Sequence, residues 1–333
     1  MGMSRPTIYD VAARAKVSAA TVSNVLNAPA RVKPETFKRV MAVIHEMNFV
    51  PKAEAVTYGR KGFGSIGVVG TFTQYASFNH RLAGVLDALR LEPYKITIFD
   101  QKDPQREGEH LAKLPITGHL DGLIVMSLPL SEQVADRLLG RNLHTVLIET
   151  DHPDFSSVEV DNQKGGRLAA EHLISKGRKK LAFIGEQQFA ESNIILSSQR
   201  LKGYREALEA AGIGLPDEYV SLGTFDVKDA TRQAMDLLQL PDRPDAIFCY
   251  SDYQAVGVLK AAKALGLKVP DDVAVMGFDD MEFADYLGLT TISQSLYDSG
   301  RIAAKLLMER IDHPEGPTQQ VTLPVKVIQR ETT

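Results

Sequence analysis

Three short apolar runs occur twice in this chain, in the same order, and that repetition constrains the fold more than any other feature. Ser65-Ile66-Gly67-Val68-Val69-Gly70 is matched by Leu181-Ala182-Phe183-Ile184-Gly185, and Asp121-Gly122-Leu123-Ile124-Val125-Met126 by Asp245-Ala246-Ile247-Phe248-Cys249-Tyr250. His144-Thr145-Val146-Leu147-Ile148 has its counterpart in Val273-Ala274-Val275-Met276-Gly277. Short β-rich runs alternating with helical periodicity are the pattern of parallel sheets wrapped by helices. The expected body is thus two lobes of like design, each an open α/β sheet. A last strand-like run is expected at 322–327, with no leucine-heptad helix after it of the kind that builds tetramers.

In open α/β sheets ligands collect at the carboxyl ends of the strands. The polar residues that close the runs are Thr71, Ser127, Glu149, Glu186, Ser251, Asp252, Asp279 and Asp280. Any one of these carboxylates, alone, reads as a turn or cap residue. Grouped in a cleft between two lobes, they would form a polar site. Carboxylate acceptors suit the many hydroxyl donors of a sugar, whose apolar face stacks on rings such as Phe72, Phe78 or Phe225.

The front of the chain follows a different pattern. Residues 1–61 hold ten Lys or Arg and four Asp or Glu, net +6, whereas the remainder is net −10. A basic end on an acidic body suits binding to a phosphate backbone. Thr7 is placed to cap a first helix, with Asp10 three residues on, and Ile8, Val11, Ala12 and Ala15 form its apolar face. After Lys16-Val17, Ser18 caps a second helix to Leu26 that turns Val22, Val25 and Leu26 inward. Ala19, Ala20, Thr21, Ser23 and Asn24 face out. Short polar side chains let a helix sink into the major groove, and the Asn24 amide donates and accepts as adenine requires. An ordinary helical hairpin would show the same spacing. Pro34 opens a third helix to about Asn48 with Phe37, Val40, Met41 and Ile44 as its stripe, and residues 52–58 have the length of one more short helix.

Tyr9-Asp10-Val11-Ala12, then Val17-Ser18, then Thr21-Val22-Ser23-Asn24-Val25-Leu26-Asn27 resemble the LacI/GalR family of bacterial repressors. The resemblance extends through Ser198-Gln199-Arg200-Leu201-Lys202-Gly203-Tyr204 and Gly277-Phe278-Asp279-Asp280 to cover essentially the whole chain. It implies that Ala19, Ala20 and Asn24 read an operator and that Thr21 and Ser23 hold phosphates. Thr7, Tyr9, Ser18 and Asn27 join them, while Lys52, Ala55 and Tyr58 belong to a hinge helix that enters the minor groove. It further implies that Arg200 and Asp279 are the main effector ligands, with Glu149, Phe225 and Ser251 beside them; Thr71, Ser127 and Asp252 from the strand endings and the rings of Phe72 and Phe78 complete the expected effector site. Gln294 lies in the final crossing between lobes. Asn24 stands where most members carry arginine, Lys33 where a capping serine is usual, Val56 where a basic residue is common and Tyr58 where a leucine wedge is usual. Ser251 and Met126 replace polar residues frequent in sugar-binding members. A neutral sugar is the effector this pocket favours, ahead of a nucleobase, a phosphosugar or a phosphoprotein corepressor.

The expected organisation is a headpiece at 1–50, a hinge helix and linker at 51–63 and a core at 64–333. Within the core, the amino-terminal lobe takes about 64–163 and 293–322, and the carboxyl-terminal lobe about 164–292 and 323–333. The expected partners are a near-palindromic duplex operator, a small mono- or oligosaccharide and a second copy of the chain, with no cofactor, metal or membrane. Gly62-Phe63-Gly64-Ser65-Ile66-Gly67 spells GxGxxG, but it precedes a strand instead of following one, so it reads as a joint. There is no P-loop, HExxH, nucleophile elbow or paired-cysteine pattern, and the eight histidines are scattered, which argues against an enzyme such as a sugar dehydrogenase. The absence of a secretory signal pattern at the start argues against a periplasmic sugar-binding protein, and with Cys249 as the single cysteine a reducing cytoplasm is expected.

Overall fold

The computed structural model describes residues 7–27, 32–47, 64–101, 120–187 and 196–333. The chain divides into two compact units with a boundary at Ile66. In the first, helices α1 (Ile8–Ala15), α2 (Ala19–Asn27) and α3 (Pro34–Glu46) close around Val11, Ala12, Ala15, Val22, Val25, Val40, Val43 and Ile44. The local chemistry is that of the expected caps. Thr7 Oγ1 accepts the Asp10 N–H while the Asp10 carboxylate accepts the Thr7 N–H at 2.7 Å, a reciprocal capping box. Lys16 ends α1 in the left-handed region, and Ser18 Oγ accepts the Thr21 N–H at 3.1 Å to start α2. The Lys33 carbonyl accepts the first bond of α3, from Phe37 at 3.0 Å. Phe37 and Met41 pack at the edge of this core, and Val43 joins the buried stripe.

The second unit contains two six-stranded sheets. Strands β1 (Ser65–Gly70), β2 (Lys95–Asp100), β3 (Gly122–Met126), β4 (His144–Ile148), β5 (Ser156–Val160) and β11 (Gln320–Leu323) form the first, in the order β11-β5-β4-β3-β1-β2. Strands β6 (Leu181–Glu186), β7 (Val220–Gly223), β8 (Ala246–Cys249), β9 (Ala274–Asp279), β10 (Thr290–Ser293) and β12 (Lys326–Ile328) form the second, in the order β12-β10-β9-β8-β6-β7. The three repeated runs become β1 and β6, β3 and β8, β4 and β9. Helices α4 (Ala76–Ala88) and α5 (Glu132–Gly140) belong to the first lobe, and α6 (Asn162–Ser175), α7 (Leu196–Ala210), α8 (Val227–Leu238), α9 (Asp252–Ala264) and α10 (Glu282–Tyr286) to the second. The last helix, α11 (Leu296–Asp312), returns to the first lobe and packs on α4. The chain therefore crosses between lobes after β5, after β10 and between β11 and β12. Where one last strand was expected there are two: Pro324 has no N–H to donate to a ladder, and the residues on either side of it enter different sheets.

The helix pairs α4/α11 and α6/α7 share one packing device. A Cβ on Gly84 would lie 2.0 Å from the Tyr297 carbonyl oxygen, and one on Gly300 1.8 Å from that of Arg81. In the second lobe a Cβ on Gly166 would lie 1.9 Å from the Arg200 carbonyl oxygen, and one on Gly203 1.8 Å from that of Gln163. Each pair approaches backbone to backbone at two reciprocal points that only glycine allows. The same geometry sits on matching sequence, Arg81-Leu82-Ala83-Gly84 and Arg200-Leu201-Lys202-Gly203, so the two lobes correspond in their helices as well as their strands.

Candidate functional site

In the first unit the exposed part of α2 is small and polar. Ala20 and Asn24 are exposed, Ala19, Thr21 and Ser23 half-buried, and Tyr9, on α1, is 74% exposed. Ser18 and Thr21 also serve the helix start, their hydroxyls 2.9 Å apart. Thr7 is exposed and engaged with Asp10. Asn27 ends α2. The hinge residues Lys52, Ala55, Val56 and Tyr58 lie outside the described residues, as do Gly62 and Phe63.

In the second unit the carboxyl ends of the strands carry an unusual backbone. Ser127, Glu149, Asp279 and Asp280 have φ of 46°, 55°, 127° and 59°, in the left-handed half of conformational space that side chains disfavour. Such strain persists only where the surroundings enforce it, and it clusters at functional sites. At Glu149 and Asp279 the surroundings are a buried polar chain between the lobes. Gln294, in the second crossing, donates through Nε2 to Asp279 and accepts from Arg81 Nη2 at 3.1 Å. Arg81 Nη2 is also 3.3 Å from Glu149 Oε1. Glu149 Oε2 accepts from Asn162 Nδ2 at 3.1 Å, Asn162 Oδ1 accepts from Arg200 Nε at 2.8 Å, and Arg200 Nη1 donates to the Tyr250 carbonyl at 2.6 Å. The Arg200 guanidinium lies 3.5 Å from the Phe278 ring centroid and 4.5 Å from that of Tyr250. Two buried cations are thus held against two buried carboxylates.

Beside this chain is a cavity of about 260 Å³ lined by Glu149, Thr150, Asp151, Glu159, Asn162 and Gln199 together with Pro129, Leu130, Val160 and Leu196. Of the expected effector residues, Glu149 lines it directly, while Arg200, Asp279 and Gln294 belong to the hydrogen-bonded wall behind Glu149 and Asn162. Ser127 and Thr71 are buried at their strand ends, and Ser127 Oγ has no hydrogen-bond partner. The remaining expected ligands are occupied by the protein itself. Ser251 Oγ caps α9 by accepting the Gln254 N–H at 3.3 Å. Asp252 is fully buried, with Oδ1 accepting from Thr291 Oγ1 at 2.5 Å and Oδ2 from the Met281 N–H at 2.8 Å. Phe72 and Phe78 pack edge to face, with centroids 6.1 Å apart, and Phe225 packs against Tyr75 with centroids 4.3 Å apart and the rings inclined by 60°. That contact, with the hydrogen bond from Tyr75 to Glu186, joins the lobes on their aromatic side. Arg81, Asn162, Asp151, Glu159 and Gln199 did not emerge from strand endings. Arg81 was nonetheless signalled by the Arg-Leu-x-Gly repeat it shares with Arg200. Among the described residues no group of three His, Cys, Asp or Glu is placed to hold a metal ion.

Burial pushes the Asp279 carboxyl up to about 6 from an ordinary 3.8; Arg200, Arg81 and Gln294 oppose the rise and Glu149 adds to it. The folded state then binds this proton more tightly than the unfolded chain. The contribution of Asp279 to stability is therefore fully present below about pH 4 and is lost as the pH rises through about 6. In Asp279→Asn, which keeps an acceptor for Gln294, this dependence is expected to vanish. Melting temperatures measured from pH 4 to 8 should show the wild type losing ground to the variant between pH 4 and 6, and a constant difference above about 7. A difference that does not change with pH would contradict this assignment of the titrating group.

A family model described as bacterial regulatory proteins, lacI family, matches residues 7–52, and one described as periplasmic binding protein-like domain matches residues 170–333. The chain is 31% identical over 332 residues to the HTH-type transcriptional repressor PurR of Mannheimia succiniciproducens, covering 98% of each chain. It is 30% identical over 332 residues to catabolite control protein A of Priestia megaterium, covering 98% of this chain and 99% of that one. A solved structure described as a complex of the transcriptional regulator CelR with cellobiose is similar over 99% of this chain and 100% of that one, with a TM-score of 0.71 and 28% identity. No described helix is long and apolar enough to cross a membrane.

Proposed function

Because this chain belongs to the lacI family of bacterial regulatory proteins, and is therefore a DNA-binding transcriptional regulator and not an enzyme, we propose that it represses carbohydrate-utilisation genes under the control of a small sugar bound between the lobes of its body. The observation that carries this reading is the wall of the 260 Å³ cavity, which offers carboxylates and amides to hydroxyl donors. None of its described lining residues is aromatic, so neither a nucleobase nor the apolar face of a sugar has a ring to stack on there, and the expected Phe72, Phe78 and Phe225 platform is not part of this wall. None is cationic, so a phosphosugar finds no charge partner. The volume is near the lower end for ligand sites, which suits a mono- or disaccharide. The similar CelR structure is described as a cellobiose complex, in line with a sugar here.

In this reading α2 enters the major groove with Ala20 and Asn24 at base edges, and two copies of the chain present two such helices to the half-sites of a near-palindromic operator. Sugar and operator are coupled, so saturating sugar changes operator affinity by roughly 5- to 150-fold, and operator changes sugar affinity by the same factor. A thermal-shift screen of the full chain against sugars, nucleobases and phosphosugars, followed by gel shifts with each hit, tests both halves. Sugars are expected to raise the melting temperature and alter the gel shift. Stabilisation by nucleobases or phosphosugars alone would overturn the sugar reading.

A further inference from the structure

We infer that Tyr75 and Glu186 form a clasp by which the chain itself holds its two lobes closed, so that a molecule reaches the cleft between them only when this clasp opens. The topology gives the contact its leverage. All three crossings leave from β5, β10 or β11, and the last arrives at β12; these are the two strands at one edge of each sheet. Tyr75 follows β1, Glu186 ends β6 and Phe225 follows β7, all near the opposite edges. The lobes are thus hinged along one edge and meet again at the other. Between the two edges lie β3, β4, β8 and β9, at whose ends stand Ser127, Glu149, Ser251 and Asp279.

Each half of the clasp is fixed by its own lobe. Thr73 donates to the Asp100 carboxylate through its N–H at 3.2 Å and its hydroxyl at 2.7 Å, and the Thr71 carbonyl accepts from the N–H groups of Gln74 and Tyr75 at 3.2 and 3.0 Å. These bonds set the turn that carries Tyr75. Across the cleft the Glu186 N–H donates to Ser197 Oγ at 3.1 Å, and Thr224, next to Phe225, donates to Asp229 and Asp226 at 2.7 and 2.6 Å. Phe225 is backed by Tyr253 at 5.9 Å and Tyr253 by Phe283 at 5.0 Å between centroids. The Tyr75 hydroxyl donates to Glu186 while its ring lies against Phe225. Burial pushes the Glu186 carboxyl up, and the Tyr75 bond and the Arg200 charge oppose that rise. The hydroxyl thus supplies a donor to a buried carboxylate, and opening returns both groups to water. A hydrogen bond to a charged group is worth about 10- to 100-fold in an equilibrium, enough to hold the lobes and little enough to release them. Phe225 is also one of the rings expected to take the apolar face of an effector, so Tyr75 occupies that place until the clasp opens; this last point, unlike the clasp, rests on the sugar reading.

The test is double electron-electron resonance on the full chain with no ligand added, so its result is independent of the sugar reading. Nitroxide labels are placed on Asp136→Cys in α5 and Lys202→Cys in α7, both exposed positions, and unlabelled chain is added so that only distances within one chain are read. Cys249, the single native cysteine, is buried. With the clasp intact, one short distance is expected. Tyr75→Phe, which keeps the ring and removes the donor, and Glu186→Ala, which removes the acceptor, are each expected to add a longer distance, raising the open-to-closed ratio roughly 10-fold or more. The double variant is expected to open no further than the single ones, because all break the same bond. Glu186→Gln keeps an acceptor and should lie between. Circular dichroism melts check that each variant folds. A predominantly long distance with the clasp intact, an unchanged distribution in both single variants, or effects that add in the double variant would overturn the clasp.

Discussion

Replacing Arg200 by alanine is expected to lower the melting temperature of the body by roughly 6 to 20 °C. The guanidinium is 2% exposed, donates to Asn162 and to the Tyr250 carbonyl, and lies against the Phe278 ring. Its removal leaves the Asn162 Oδ1 and the Tyr250 carbonyl without that donor and the buried Asp279 with Arg81 as its remaining neighbouring cation. Breaking a buried charge network by deleting one partner costs about 3–5 kcal/mol, and at roughly 2–4 °C per kcal/mol for a domain of this size the range follows. Lysine should recover only part of the loss, because a point charge cannot serve two acceptors in the fixed fork that Arg200 presents. A scanning calorimetry endotherm for Arg200→Ala within 2 °C of the wild type would mean that the polar chain between the lobes does not hold them. The proposed ligand wall depends on the same residue, since Asn162 lines the cavity while bonded to Arg200 behind it.

The second large effect is expected at a glycine. Alanine is the better helix former by about 1 kcal/mol, so Gly203→Ala within α7 would stabilise an isolated helix. In the folded chain the new methyl would lie 1.8 Å from the Gln163 carbonyl oxygen, a backbone atom with no rotamer to yield, so α6 and α7 must move apart along a shared buried face. Overpacking of this kind costs about 1–3 kcal/mol and here falls on backbone that cannot yield, so after the gain in helix propensity the net is a loss of about 2 kcal/mol in urea or thermal unfolding. Gly140→Ala, at the end of α5, is the control. It meets nothing within 4 Å and should raise stability by about 0.5–1 kcal/mol. Opposite signs at Gly203 and Gly140 are the expected result. A stabilised Gly203→Ala would refute the close approach of α6 and α7.

Several parts of this architecture are legible in the residues alone, because they depend on neighbours in sequence. The Thr7 and Asp10 capping box, the Ser18 cap and the apolar faces of α1 and α2 are local arrangements within a turn or two. So are the repeated apolar runs, whose matching order implies two sheets of similar design. Pro324 shows where such reading falters. The residues around it are equally apolar and β-prone, and only pairing with β5 on one side and β10 on the other divides them between sheets.

The three repeated runs thus determined, by sequence alone, that the body is two mainly parallel α/β sheets, and the helical spacing ahead of them determined the three-helix unit at the front. Periodicity reports which face of an element is buried, and that is enough to specify layers. It does not report which polar groups meet once the layers pack. Asp252 and Asp279 each follow an apolar run and look alike in sequence, yet Thr291 and the Met281 N–H take up both oxygens of one, while Gln294, Arg81 and Arg200 surround the other. Arg81 sits mid-helix with nothing beside it in sequence to mark a partner, and its partners Gln294 and Ser299 are more than 200 positions away. Tertiary structure alone decided those meetings, because the chain crosses between lobes three times and each crossing brings residues distant in sequence to the same edge.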